Sequence, residues 1–489
     1  MTTLPDLMSP PPTRSVRRPR TAQAPVAAAR AAWNWPLWFV VGYVLFQVAL
    51  LFLGSTPLRA PLRIAAFSLS LVMLVLLPPG RRSLRHPAMW ILPAVLLCLV
   101  PGLFMPGQPS IMAALGGATL YLSTLAPLLW VSHSPLDKVG FRRVILVLWA
   151  FNALSAAVGV LQVYYPGLFQ AQLSAVIQEK GKDYIGSLTI QLANGSRAFR
   201  PMGLTDQPGG AATGGLYAIL FGVGLIYTER RWFMRLLALA GMVLGLFVIY
   251  LTQVRVTLLM SIVGVTVVGV TFAIRGDVRR TTTLLAVAVG VALSGTIWAF
   301  AIGGDETVKR FASLIETQPA DVYTQNRGYF LQNAIDSLKK YPLGAGLGRW
   351  GMINYYFGKD DGSVLWAEIM WEAWIYDGGI PLMAMYCVLM AAVVVASLRI
   401  AVTRGGGVLA IWGAVVLAYN LAAIAATFDS PIFGSQAGLE VWFLNAILYN
   451  AWANRPAVAA RARPGRAAAP PSLVAAAPTA PTAALPAGF

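Results

Sequence analysis

Along this chain, apolar runs of nearly 20 residues alternate with shorter stretches that collect the charges. Each run is long enough to cross a hydrocarbon core about 30 Å thick. They fall at roughly 36–53, 62–79, 88–105, 111–131, 144–163, 209–227, 235–252, 256–274, 282–302, 377–398, 407–427 and 436–453. A lipid core offers no water to unpaired backbone groups, so these runs are expected to be helical. The pattern predicts an all-α polytopic membrane protein with about twelve transmembrane helices. Two connections are long, about 164–208 and 303–366, and loops of that length in a compact protein are where chemistry is expected. The second holds DVYTQNRGYFLQNAIDSLKK (321–340), with Val322, Phe330, Ala334 and Leu338 spaced to one face. That is the signature of an amphipathic helix on the outer membrane surface or over the bundle, and YPLGAGLG ends it with proline and glycines. Residues 1–32 and 455–489 are rich in proline and alanine and are expected to be disordered tails flanking a transmembrane domain over 33–454.

Composition agrees: 57% of residues are hydrophobic, only 11% are charged, and the mean hydropathy is +0.66. The net charge of +18 could suggest nucleic acid, but its distribution speaks for topology. With the N-terminus inside, about 23 of the 37 Lys and Arg but only about 4 of the 19 Asp and Glu fall on the cytoplasmic side. The other face is nearly neutral, as the positive-inside rule requires, so both termini are expected in the cytoplasm and both long loops outside. No nucleic-acid partner is expected; membrane lipids are. The first apolar segment is span-length and follows an Arg- and Pro-rich stretch, so it is expected to act as an uncleaved anchor. Cys98 and Cys387 both fall inside predicted spans and read as packing residues. His86 and His133 have no partner at metal-ligand spacing, so no metal site is expected.

Arg255 lies in VIYLTQVRVTLLMSIVGV (248–265), with almost no loop between two spans. It either snorkels to lipid headgroups or offers a guanidinium for bidentate contact with phosphate. The first long loop ends in GSRAFRPMGLTDQPGGAATGG (195–215). There, Arg197 and Arg200 are either solvated or form a cationic rim, and Asp206 either caps the next helix or belongs to that rim. In the second loop Arg310 and Arg327 add positive charge, although Arg327 shares its helix with Asp336, Lys339 and Lys340, as a solvated face would. GAGLGRW (344–350) has spaced glycines but follows a helix, so it is no dinucleotide fingerprint. In SVLWAEIMWEAWIYDGG (363–379), Glu368, Glu372 and Asp377 are interleaved with Trp366, Trp371 and Trp374 at a span mouth. Glu368 and Glu372, four apart, are expected to share a helix face, and partial burial there would tune a carboxylate towards general-base work.

Taken in order, RPMGLTDQPGGAATGG before a span, LTQVR at a hairpin tip, NRGYFLQNAIDSLKKYPLGAGLGRWG in a large outer loop, and an acidic, aromatic entry to a span beginning GGIPLMAMY resemble the O-antigen ligase and polymerase family of bacterial envelope glycosyltransferases. The resemblance spans roughly residues 110–450. It implies an enzyme of the bacterial inner membrane, working on the periplasmic side without metal or other cofactor. Such an enzyme would move a glycan from an undecaprenyl diphosphate carrier to lipid A core or to a second carrier-linked glycan. It further implies that Arg255 and Arg327 contact the diphosphate, with Arg200 supporting; from the loop readings, Arg310 is a further candidate for that contact, with Arg197, Asp206 and Glu372 in support. Where the family usually carries His-Asn, this chain has Ala367 and Glu368, so either Glu368 replaces the histidine as base or the chemistry differs. A flippase or other secondary transporter of similar span number is the competing expectation.

Overall fold

In the computed structural model, the described residues are 34–52, 58–76, 85–106, 110–134, 136–173, 185–186, 188–191, 197–205, 207–302, 319–358 and 365–454. Among the described residues each of the twelve apolar runs meets a helix, and three further helices lie between them. In order these are α1 (Trp35–Phe52), α2 (Arg59–Leu76), α3 (Leu92–Leu99), α4 (Ile111–Trp130), α5 (Lys138–Tyr164), a short α6 (Pro166–Phe169), α7 (Gly210–Thr228), α8 (Trp232–Thr252), α9 (Arg255–Ile274) and α10 (Val278–Ile302). They continue with α11 (Pro319–Lys340), α12 (Gly351–Phe357), α13 (Met370–Val402), α14 (Gly407–Ala426) and α15 (Gln436–Ala453). Eight of them, α1, α4, α5, α7, α8, α9, α13 and α14, are long and apolar enough to cross a membrane. The chain is therefore an all-α polytopic membrane protein. The apolar part of α2 is shorter, and α3 is broken by Pro101, whose missing N–H starts a separate 3-10 turn over Pro101–Leu103.

Helix α15 has span length but carries Glu440, Asn445 and Asn450, all buried. They point into the protein and tie helices together. Asn445 and Asn420 exchange amide hydrogen bonds of 2.7 and 3.0 Å, and Asn420 also donates to Ser397 Oγ at 3.2 Å. Asn450 donates to the Val131 carbonyl at 2.7 Å and accepts from Leu136 N–H at 3.0 Å. Between helices in lipid there is little hydrophobic drive, so such bonds and close backbone approach hold the bundle. Gly215 of α7 and Gly245 of α8 illustrate that approach: a Cβ on either would meet the other's carbonyl oxygen at 2.6 Å. Outward, Phe52, Val75, Leu97 and Leu259 are exposed, an apolar surface suited to lipid.

Two local expectations change. The first long loop contains a small hairpin, β1 (Thr189–Gln191) antiparallel to β2 (Arg197–Phe199), with Ile190 opposite Ala198. Ile190 and Ala198 pack with Val163, Phe247 and Leu251, which gives this three-residue ladder a buried side. The late span, expected from 377, starts at Met370. Its early start follows from Glu372, which reaches back to accept the Ile369 N–H at 3.3 Å, and from Met370 N–H, which donates to the Thr427 carbonyl at 2.9 Å.

Helix α13 is interrupted at Gly379 (φ 64°, ψ −152°). Pro381, lacking an N–H, cannot bond the Asp377 carbonyl four residues back. The chain around 342–348 fills the gap: Ile380 N–H donates to the Pro342 carbonyl at 2.9 Å, and the Tyr376 carbonyl accepts from Ala345 and Gly346 at 2.7 and 3.1 Å. Leu347 N–H donates to the Gly102 carbonyl at 3.0 Å. The glycines of GAGLG are thus a packing requirement. A Cβ on Gly348 (φ 74°) would lie 2.1 Å from the Ala113 carbonyl oxygen, and one on Gly344 (φ 102°) 3.1 Å from Gly378 Cα.

Candidate functional site

The predicted site residues fall into two groups. The first surrounds the start of α7. Gln162 of α5 pins the RPMG turn: its Oε1 accepts from Met202 and Gly203 N–H, both at 2.8 Å, and its amide donates to the Gly203 carbonyl at 2.9 Å. Ser155 Oγ accepts from Leu204 N–H at 2.9 Å. Gly209 (φ 76°) is the N-cap of α7; the first N–H groups of the helix are taken by backbone carbonyls, Gly210 donating to Gln207 at 3.0 Å, Ala211 to Pro201 at 3.4 Å and Ala212 to Gly209 at 3.0 Å, and no acid stands in the first turn. Beside it lies the tip of the α8–α9 hairpin, turned by Gln253 in the left-handed region (φ 55°). A Cβ on Gly209 would touch Val254 Cγ2 at 3.7 Å, and Val254 packs with Ala212.

Arg255 is the first residue of α9, so it sits at a helix end and not in mid-span. That helix start also has no side-chain cap and no acid in its first turn. A cation at the positive end of a helix dipole is on the wrong side by about 0.3–1 kcal/mol, whereas an anion there would meet the guanidinium and the N–H groups at the start of α9 together. Arg200 lies immediately before this turn, its N–H donating to the Leu188 carbonyl at 2.9 Å, and Arg197 is exposed on β2. Asp206 and Arg310 lie outside the described residues.

The second group is the mouth of α13. Glu368 is half-buried, accepts from Trp366 Nε1, and stands before the helix. It therefore does not share a helical face with Glu372, contrary to the four-residue spacing, because the helix starts between them. Glu372 is fully buried, and its carboxylate accepts from Glu368 N–H at 2.8 Å and from Asn333 Nδ2 of α11 at 2.7 Å. It is a cap and a tie, with its acceptor sites occupied. Helix α11 docks here as its pattern predicts, Phe330, Ala334 and Leu338 meeting Ile369 and Ile375. Arg327 is on α11, six residues or about 9 Å before Asn333; its side chain lies outside the described set.

Two buried carboxyls lie deeper. Asp377 receives Tyr121 Oη at 2.7 Å and Trp350 Nε1 at 2.9 Å, with the Gly348 N–H as a third donor. It pegs the GAGLGRW segment onto the break in α13. Glu440 of α15 accepts from Tyr43 Oη at 2.8 Å. One acid within an apolar run was the sequence signal for it. Among the described residues no cluster of His, Cys, Asp and Glu could hold a metal ion. Fold and site together define a multi-pass helical membrane protein with cationic and acidic groups at loop-bearing helix ends. No protein-family model matches the sequence, and no curated protein matches it.

Proposed function

We propose that the protein transfers a glycan from undecaprenyl diphosphate to a sugar hydroxyl, as a ligase or polymerase of cell-surface polysaccharide, at the periplasmic face of a bacterial inner membrane. The observation that carries this reading is Arg255 at the uncapped start of α9, beside the Gly209 turn that opens α7: a helix end where a diphosphate gains charge and N–H donors together. In the reaction, the acceptor oxygen attacks the anomeric carbon and the bond to the diphosphate breaks. The leaving oxygen's charge falls to the Arg255 group, with Arg200 and Arg327 in support. Glu368 takes the acceptor's proton. Attack opposite the leaving group inverts the anomeric centre.

The test is transfer by purified protein with a lipid-linked oligosaccharide donor and no added metal, comparing wild type with Arg255→Ala, Arg327→Ala and Glu368→Gln. A ladder of products lost in the variants indicates a polymerase, and a single transfer to lipid A core indicates a ligase. No transfer to either acceptor, or variants equal to wild type, overturns the reading. A second reading, a flippase or other transporter, is favoured by one specific feature: a span interrupted at Gly379 with carboxyls buried in the bundle. Movement of a fluorescent lipid-linked glycan between leaflets of proteoliposomes, without transfer, would select it.

A further inference from the structure

At the end of the bundle opposite Arg255, two turns are rich in arginine. ERRWFMR (229–235) joins α7 to α8, and RGDVRR (275–280) joins α9 to α10. The fold fastens these turns together. Tyr227, in the last turn of α7, donates its hydroxyl to the Arg280 carbonyl at 2.9 Å, and its ring meets Phe272 edge-on at 5.3 Å. Glu229, two residues on, is buried. Arg142 of α5 donates to both its carboxylate oxygens, at 2.5 and 2.7 Å, and Arg235 Nε donates to its backbone carbonyl at 2.7 Å. Asp277, the other acid of the two turns, is paired with Arg280 Nη1 at 2.8 Å. Both acids are thus occupied. Arg230, Arg231, Arg235, Arg275 and Arg279 have no acid partner among the described residues, and all but Arg275 are exposed.

Arg275 is half-buried, and one of its guanidinium nitrogens, Nη1, is enclosed without a hydrogen-bond partner. Burial, then the like charge of Arg280, lower its pKa from the usual value, with Asp277 opposing. Like charges held this close repel, and an anion on the rim they share would relieve them. Topology accounts for positive charge at the end expected in the cytoplasm, but it does not require two turns to be locked side by side. The rest of the rim decides what kind of anion fits. Trp232 is 72% exposed and Phe233 59%, with Leu236 and Leu237 exposed one turn further along α8, which packs on α10. A ligand suited to both features carries phosphate at one end and hydrocarbon at the other; free phosphate or a nucleotide would leave the apolar flank unused. We propose that these two turns form a binding site for an anionic phospholipid, its headgroup phosphate held by their unpaired arginines and its acyl chains lying along the exposed apolar face of α8. Basic recesses between helices on the cytoplasmic side suit such headgroups. The site is the length of α9, about 30 Å, from Arg255, and neither the glycan-transfer nor the transport reading assigns it.

The test is native mass spectrometry of the full chain in neutral detergent, with phosphatidylglycerol and phosphatidylcholine of matched chains offered together. Wild type is expected to retain phosphatidylglycerol in preference. Arg231→Gln/Arg279→Gln, one exposed arginine from each turn, is expected to bind it about 30-fold more weakly, the loss of two arginine contacts with an anionic lipid surface. Arg399→Gln/Arg404→Gln is the control: it removes two exposed arginines from the α13–α14 turn at the same end of the bundle and should bind as wild type does. All four side chains are exposed, so both variants are expected to keep the wild-type Tm. Equal retention of the two lipids, or no loss in the first variant, would overturn the proposal. The same loss in both variants would also overturn it, because the whole end and not this rim would then attract the lipid. Glycerol phosphate competing as well as the lipid would overturn the lipid assignment in favour of a free phosphate ligand.

Discussion

Replacing Gly348 with alanine tests whether the GAGLG segment is a structural plug. The new Cβ would lie 2.1 Å from the Ala113 carbonyl oxygen, and φ is 74°, so backbone and neighbour both resist. The left-handed conformation costs a non-glycine about 1–2 kcal/mol. Moving the segment away from Ala113 strains the Leu347 to Gly102 bond and the Trp350 and Gly348 bonds to Asp377. Leaving a buried acceptor short of donors adds about 1–3 kcal/mol. Together these give about 2–5 kcal/mol, or about 2–6 °C in Tm for a cooperative unit of this size. The assay is thermal unfolding in detergent read by a thiol-reactive dye. Its reporters are well placed: Cys98 is adjacent to the plug, its carbonyl 3.3 Å from a Cβ built on Gly378, and Cys387 lies on α13. Gly276→Ala is the control, with φ 74° and nothing within 4 Å of the added Cβ. It should show only the backbone cost, about 1–2 °C. If Gly348→Ala unfolds no earlier than Gly276→Ala, the close approach is not what holds the segment.

Further outcomes follow from individual residues. Arg255→Ala is expected to lower the transfer rate about 10²–10³-fold, the loss typical of one transition-state donor, while Tm stays within about 1 °C; equal rates in the transfer assay would refute it. Glu372→Ala takes from Asn333 its shorter bond, leaving the 3.5 Å one to Tyr376 Oη, and removes the acceptor of two backbone N–H groups, so it should cost about 3 kcal/mol or more and speed amide exchange over residues 330–340; unchanged exchange would remove Glu372 from the role of tie. His86, whose Nδ1 accepts from Ala88 N–H at 3.1 Å, is buried, and burial pushes its pKa down to about 3. Below about pH 6.5 the unfolded chain binds a proton that the folded one refuses, so stability falls as pH drops from about 6.5 towards 3. In His86→Asn, which keeps an acceptor for the Ala88 N–H, Tm should decline less between pH 6 and 4; an identical decline would refute the linkage.

The helices were legible because lipid imposes one rule everywhere: length and hydropathy decide, and eight of the apolar runs lie on helices long and apolar enough to cross a membrane. Helix ends followed local chemistry and were less so. The four-residue spacing of Glu368 and Glu372 suggested one face, yet Glu372 spends its carboxylate on the N–H groups that begin α13, so the helix starts after Glu368. The short strands at 189–199 gave no signal of their own, because their order depends on burial against Val163 and Leu251. Glu440 is an acid in an apolar run, a signal that assigns it no role by itself; that Tyr43 and Tyr419 from two other helices bond it depends on packing alone.

The same distinction separates the two functional readings. At the start of α9 the cost falls on cations: uncapped N–H groups and Arg255 gather positive potential that an arriving anion relieves, which suits a leaving diphosphate. In the bundle the cost falls on anions: Glu440 meets the hydroxyls of Tyr43 and Tyr419 from two helices, and Asp377 meets Tyr121 of α4 and the inserted loop. A transporter would have to bring its cargo through that second region, past the peg that Asp377 makes with Trp350. An enzyme would leave it closed and work above it. Weakening the peg by Trp350→Phe, which removes the 2.9 Å bond to Asp377, therefore discriminates: glycan transfer should persist within a few-fold, in line with the loss of about 1–1.5 kcal/mol for one hydrogen bond, whereas a transport rate limited by opening at Gly379 should rise.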